Sequence, residues 1–144
     1  MNRKLSIMVL GIIVCGCSQI GPSARNVRST DSQEVLNKTW QWEATVTPVK
    51  RITVPSPERY TIFLKDDGKL QANFDCNKGR GDYQISEGKL SFSPLISTRM
   101  ACPEGTMDAV FMRDLQRVTS FFIEDGVLYL GLSYDSGTMK FLTK

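Results

Sequence analysis

The side chains best suited to chemistry in this chain are thiols. It holds four cysteines and no histidine. Cys15 and Cys17 fall in the segment Val14-Cys15-Gly16-Cys17, and Cys76 and Cys102 stand alone farther on. Cys17 has aliphatic Val14 three places before it and small Gly16 immediately before it. That spacing resembles a bacterial lipobox, and the resemblance implies a thiol that takes up diacylglycerol through a thioether, followed by cleavage after the small residue. Cys15 suits it poorly, because bulky Val14 would fill the small-residue place. Without histidine the chain lacks the commonest general base, Ser-His and Cys-His nucleophile pairs, and imidazole metal ligands. Asp66-Asp67 form a carboxylate pair beside Gly68. Turn formation explains them, and acid–base work would need a cleft that sets their pKa values apart. No catalytic residue, metal site or cofactor is therefore expected.

The elements that would bring Cys17 to that chemistry precede it. Arg3 and Lys4 give a positive start, and residues 5–14 are an apolar run of signal-peptide length. A transmembrane helix would need about 20 apolar residues. The whole resembles a bacterial lipoprotein signal peptide ending in a lipobox. Residues 1–16 are read as the leader and Cys17 as the acylated, palmitate-bearing residue; an ordinary secretory signal with incidental cysteines is the alternative. Each buried CH₂ contributes about 0.8 kcal/mol, and one chain alone binds only marginally, so anchoring through several chains is implied. Ser18 stands where Asp would favour retention in the inner membrane. The expected place is the outer membrane, facing the periplasm. Residues 17–34 are polar with few large apolar groups and read as a flexible tether.

Residues 35–144 read as one domain. The chain is 144 residues long, 41% hydrophobic and 23% charged, with 18 Lys+Arg against 15 Asp+Glu. Losing Arg3 and Lys4 leaves 16 against 15. So even a balance offers no field for nucleic acid. Trp40, Trp42 and Ala44 alternate with polar residues, a strand signal. Residues 47–57 contain three prolines and read as an extended loop or edge segment. Further strands are expected over 60–64, 70–74, 79–85, 89–92, 121–124, 127–132 and 138–142. Turns are expected at Asp66-Asp67-Gly68, Glu87-Gly88, Asp125-Gly126 and Asp135-Ser136-Gly137. One helix, starting at Glu104 or Thr106, would put Met107, Val110, Phe111, Leu115 and Val118 on its inner face. Asp108, Arg113, Asp114 and Arg117 would face out. The expected architecture is α+β: a small curved antiparallel sheet or partial barrel, with one packed helix plugging an open side. No internal repeat or low-complexity segment is present.

Cys76 and Cys102 are an even pair in a domain bound for an oxidising compartment, so a disulfide is the default. Free buried thiols are the alternative. A zinc site is disfavoured without histidine or a CxxC spacing. Around these cysteines lie Leu36-x-x-Thr39-Trp40, Cys76-Asn77 with Gly81-x-Tyr83, and Leu90-x-Phe92. Then come Ile96-x-Thr98-x-Met100-Ala101-Cys102, Phe111-x-x-x-Leu115, Leu128-x-Leu130 and Met139-x-Phe141. Together these resemble the META domain of HslJ-like lipoproteins. Asp75 stands where that family has Gly before Cys-Asn, and the Pro-rich segment 47–57 is particular to this chain. The resemblance implies a small β-rich fold with a helix in an envelope protein, and it implies no reaction.

Asn77, Gly81, Tyr83, Thr98 and Met100 are the motif residues outside the cysteines, and each has a structural reading. Asn bonds neighbouring backbone. Gly permits close approach. Thr98 can bond backbone at a strand end, and Tyr83 pairs an apolar body with a polar tip. The alternative is a binding site. Arg80-Gly81-Asp82 is a chance-length adhesion tripeptide, Lys50, Arg51 and Arg59 a possible basic rim, and Asn37-Lys38-Thr39 a sequon in form only. The expectation is a non-catalytic envelope lipoprotein, a stress-response or binding module. It would hold a peptide, a lipid or a partner protein near the outer membrane. A proteinase inhibitor presenting residues 47–57 and a pilotin-like chaperone are alternatives, and an envelope hydrolase is a more distant one.

Overall fold

The computed structural model describes residues 28–144. Cys15, Cys17 and the rest of residues 1–27 lie outside the described residues. The strands are β1 (Thr39–Val46), β2 (Arg51–Thr53), β3 (Tyr60–Leu64), β4 (Lys69–Phe74), β5 (Asn77–Ser86), β6 (Lys89–Phe92) and β7 (Ile96–Ser97). The helix α1 (Asp108–Leu115) follows, and then β8 (Val118–Glu124), β9 (Val127–Leu132) and β10 (Thr138–Thr143).

Eight of the strands close into an antiparallel barrel in the order β1-β3-β4-β5-β6-β8-β9-β10, with β10 pairing back onto β1. The expected open sheet or partial barrel is thus corrected to a closed, mostly-β barrel. Its closure runs from Trp40 opposite Thr143 to Val46 opposite Thr138. Closure satisfies the backbone of both terminal strands and removes the edges that an open sheet would expose. The helix does not fill a missing side. It lies over the end of the barrel where β3 begins and β4 finishes. There Phe111 stacks on Trp42 at 5.1 Å and meets Tyr60 at 5.8 Å and Phe141 at 6.2 Å.

Alternation places one face of each strand inside. In β1 the pattern puts Trp40, Trp42 and Ala44 in the core. A bulge against β10 between Trp42 and Ala44 then turns Thr45 inward as well. The Thr45 hydroxyl accepts from Trp42 Nε1 at 3.0 Å, which satisfies both buried polar groups. Trp40, Trp42, Phe74, Phe111, Phe121 and Phe141 fill the interior, each at most 2% exposed. Each such burial contributes roughly 1.5–3 kcal/mol.

The turns at 65–68, 87–88 and 125–126 share the end opposite α1. Glu87-Gly88 and Asp125-Gly126 are tight hairpins with both residues at positive φ. Two expectations for the helix change. Val118 opens β8 instead of continuing the helical face, and Asp114 is 1% exposed instead of facing solvent. Arg113 makes this tolerable by donating to Asp114 Oδ1 through Nε at 2.9 Å and Nη2 at 2.8 Å. Residues 28–34, within the segment read as a tether, lie against the barrel. Ser29 exchanges two backbone hydrogen bonds of 2.7 Å with Ile123, and Arg28 sits 4.0 Å from the Phe122 ring centre. Val35 is fully buried, and its carbonyl accepts from Trp40 Nε1 at 2.9 Å.

Candidate functional site

Most of the motif residues converge where the chain enters β5 and the segment before the helix passes beside it. Cys76 and Cys102 form a disulfide with Cα atoms 5.7 Å apart, bridging 26 residues. Next to it Asn77, 4% exposed, uses its whole amide. Oδ1 accepts from Met100 N at 2.8 Å and from the Thr98 hydroxyl at 2.9 Å. Nδ2 donates to the Met100 carbonyl at 3.2 Å and lies 3.1 Å from Cys102 Sγ. Thr98 Oγ1 in turn accepts from Lys78 N at 3.0 Å. Asn77, Thr98, Met100 and the two cysteines are therefore one brace. It binds a strap, residues 95–102, irregular apart from β7, to the start of β5.

The glycines serve the same strap. A Cβ at Gly81 would lie 2.8 Å from Leu95 Cδ2 and 3.1 Å from Ser93 Oγ, so a side chain there would make the Leu95 and Ser93 side chains shift. Tyr83 is not part of the brace. Its hydroxyl donates to the Lys65 carbonyl and fixes the β3–β4 turn at the far end.

A second network was not foreseen. Asp75 has φ +64°, the left-handed conformation that explains why the motif favours Gly there; Asp is among the few other residues that adopt it readily. Its carboxylate, with a side chain only 3% exposed, pairs with Arg59 and accepts from the Tyr60 hydroxyl at 3.2 Å. That hydroxyl accepts from Met107 N at 2.9 Å, at the start of α1. Burial raises the Tyr60 pKa above its ordinary 10.0. The Met107 N–H opposes the rise, and Asp75 adds to it through both its hydrogen bond and its charge. The one sequence signal for this network was the replacement of Gly by a charged residue at position 75.

Between the strap and α1 runs an open groove of about 660 Å³. Phe74, Leu95 and Met112 supply apolar wall, and Arg99, Arg113 and Asp108 supply charge. Met100 is 59% exposed at its side.

The remaining candidates do not join into a site. Asp66 and Asp67 occupy the β3–β4 turn and Glu87 a hairpin, while Asp82 pairs with Lys69 at 2.5 Å on the outer wall. Among the described residues no group of three or more His, Cys, Asp and Glu is placed to hold a metal ion. Of the basic residues Lys50, Arg51 and Arg59, Arg51 lies 3.9 Å from Glu43 and Arg59 pairs with Asp75.

Several solved structures share this fold. A protein from Burkholderia xenovorans, solved by NMR, superposes with a TM-score of 0.65 at 23% identity, covering 86% of this chain and 97% of its own. A DUF4847 family protein from Bacteroides vulgatus superposes with a TM-score of 0.57 at 13% identity, covering 75% and 93%. At these identities they show the fold alone. No curated protein sequence matches. The META domain pattern matches residues 33–144, which include the whole barrel, the brace and the helix, and the chain belongs to the META domain family.

Proposed function

We propose that this protein is a non-catalytic binding module of the bacterial cell envelope, lipid-anchored through Cys17 at the outer membrane and facing the periplasm. The observation that carries the binding part is the filled barrel. Trp40, Trp42, Phe74, Phe111 and Phe141 occupy the interior. Room for a ligand therefore lies in open grooves on the outside, which fit a peptide or partner protein better than a lipid held within. The signal-like residues 1–16 and the Val14-Cys15-Gly16-Cys17 segment support the anchor. The described chain enters alongside Ile123, at the end away from α1. An anchor upstream would leave the helix end and its groove free for a partner. An inhibitor presenting residues 47–57 has less support, since β2 is paired to β1 and Val54 is buried at 3% exposure.

The test is crosslinking and pull-down from native envelopes, with wild type beside Cys17→Ser. Loss of acyl labelling and release from membranes in the variant supports the anchor; a variant that still takes up palmitate and still sediments with membranes overturns it. A reproducible stoichiometric partner supports the module, and an enzymatic activity lost on a single carboxylate replacement in a folded variant overturns it.

A further inference from the structure

We propose that the groove between β7 and α1 binds an extended peptide segment of a partner protein, which adds as a strand to the free edge of β7 and sets an acidic side chain against Arg99. This rests on the binding-module reading and names its occupant.

Closing the barrel pairs most strand edges, and the strands laid outside the ring keep one side free. Two strands, β2 and β7, lie off the closed ring. Pro48, Pro55 and Pro57 flank β2, and prolines near an edge discourage further pairing. The β7 edge is different. Ser97 stands opposite Gly79 and Ile96 opposite Arg80, and Thr98 N donates to the Lys78 carbonyl at 3.0 Å. In an antiparallel ladder, successive residues direct their backbone groups to opposite sides. Thr98 turns to β5, so Ser97 and Arg99 turn their N–H and C=O groups away from β5, toward the groove. Among the described residues the Arg99 backbone has no hydrogen-bond partner.

The groove accepts side chains as well as backbone. Its volume is about 660 Å³, and Leu95 and Met112 line it. Methionine adapts to varied apolar partners. Two large apolar side chains beside the edge are left exposed, Ile96 at 70% and Met100 at 59%. Charge selects the occupant's other face. Lys78, Arg80 and Arg99 stand on or beside β7, and among the described residues none has a carboxylate within 4.0 Å. The one acid in the groove wall, Asp108, accepts from the Thr106 hydroxyl at 3.0 Å. An added strand alternates its side chains, so apolar residues would enter the groove while acidic ones meet the arginine.

The experiment titrates the full lipidated chain in nanodiscs with a fluorescein-labelled hexapeptide of alternating Val and Glu, and with its counterpart carrying Lys for Glu. The Glu peptide is expected to bind about tenfold or more tightly than the Lys peptide, with affinity falling as salt rises. Ser97→Pro removes a groove-facing N–H and leaves the Thr98–Lys78 bond, so it should weaken the Glu peptide by about tenfold. Arg99→Glu, a surface change that keeps the fold should Ser97→Pro lose it, should reverse the preference between the two peptides. Equal binding of both peptides, binding that neither variant alters, or no binding of either overturns the proposal. A partner then crosslinked from envelopes at another surface would leave the binding-module reading standing without this groove.

Discussion

Asn77 holds Met100 by both ends of its amide, accepting from the Met100 N–H at 2.8 Å and donating to the Met100 carbonyl at 3.2 Å. A side chain thus gives Met100 the pairing that a neighbouring strand would otherwise supply, and the strap can stay irregular without orphaned backbone. Asn77→Ala should cost about 2–4 kcal/mol, since it strands the Met100 N–H and C=O along with the Thr98 hydroxyl. Asn77→Asp should cost at least as much at neutral pH, because its second oxygen would face the Met100 carbonyl. Urea denaturation of both variants measures this; a loss under about 0.5 kcal/mol in each would show the clasp to be incidental.

The disulfide acts on the same strap through the unfolded chain. It spans 26 residues, and a loop of that size gives on the order of 2–4 kcal/mol in the chain-entropy view. Reduction should lower the melting temperature by many degrees with the cold fold retained. Cys76→Ala and Cys102→Ala should each reproduce the drop, and the double variant should add little because both break one bond. Calorimetry checks the temperatures, and a non-reduced peptide map of protein from native envelopes checks the bond; two alkylated thiols there would end the claim.

The local parts of this architecture are legible in the sequence, because alternation and turn chemistry are local. Trp40, Trp42 and Ala44 announce β1, and Asp125-Gly126 announces the last hairpin. The closure is not local. Nothing in the pattern near Trp40 says that Thr143 lies opposite, so an open sheet and a closed barrel read alike. Val118 misleads for a related reason: it continues the spacing of Phe111 and Leu115, while the helix stops at Leu115 and Val118 opens a strand. Asp114 and Asp75 are charges that composition places outside. Each is buried only because an arginine, Arg113 or Arg59, covers it, and such pairings appear only in three dimensions. The brace was legible as a set of residues, whereas the β7 edge, two residues long, carried no periodic signal.

Position 75 separates a backbone requirement from an electrostatic one. Asp75→Gly keeps access to φ +64° and loses the Arg59 and Tyr60 contacts; Asp75→Ala loses the contacts and also strains the turn. Ala should therefore be less stable than Gly by about 1 kcal/mol or more. Arg59→Ala alone should cost more than Arg59→Ala made on top of Asp75→Gly, because the single change leaves a buried carboxylate without its cation. A double-mutant cycle by urea denaturation reads both, and additive losses would mean that Arg59 and Asp75 do not act as a pair.

Two buried tyrosines, one at each end of the barrel, set an alkaline limit. Tyr60 and Tyr83 both have pKa values raised above the ordinary 10.0, in each case first by burial. Asp75 adds to the rise at Tyr60, and Asp67 and Asp66 add to it at Tyr83. The folded state therefore holds the phenol protons more tightly than the unfolded chain does. That stabilisation is fully present below about pH 10, where unfolded tyrosines keep their protons, and is lost as pH rises through the higher folded values. Ionised Tyr60 could no longer donate to Asp75 and would set a second negative charge beside it. Stability should thus fall with increasing slope above about pH 10. Tyr83→Phe and Tyr60→Phe should each be less stable at neutral pH, yet each should show a shallower alkaline decline, and the double variant a shallower one still. Denaturation midpoints followed from neutral to alkaline pH measure the slopes, and equal slopes in wild type and both single variants would refute the linkage.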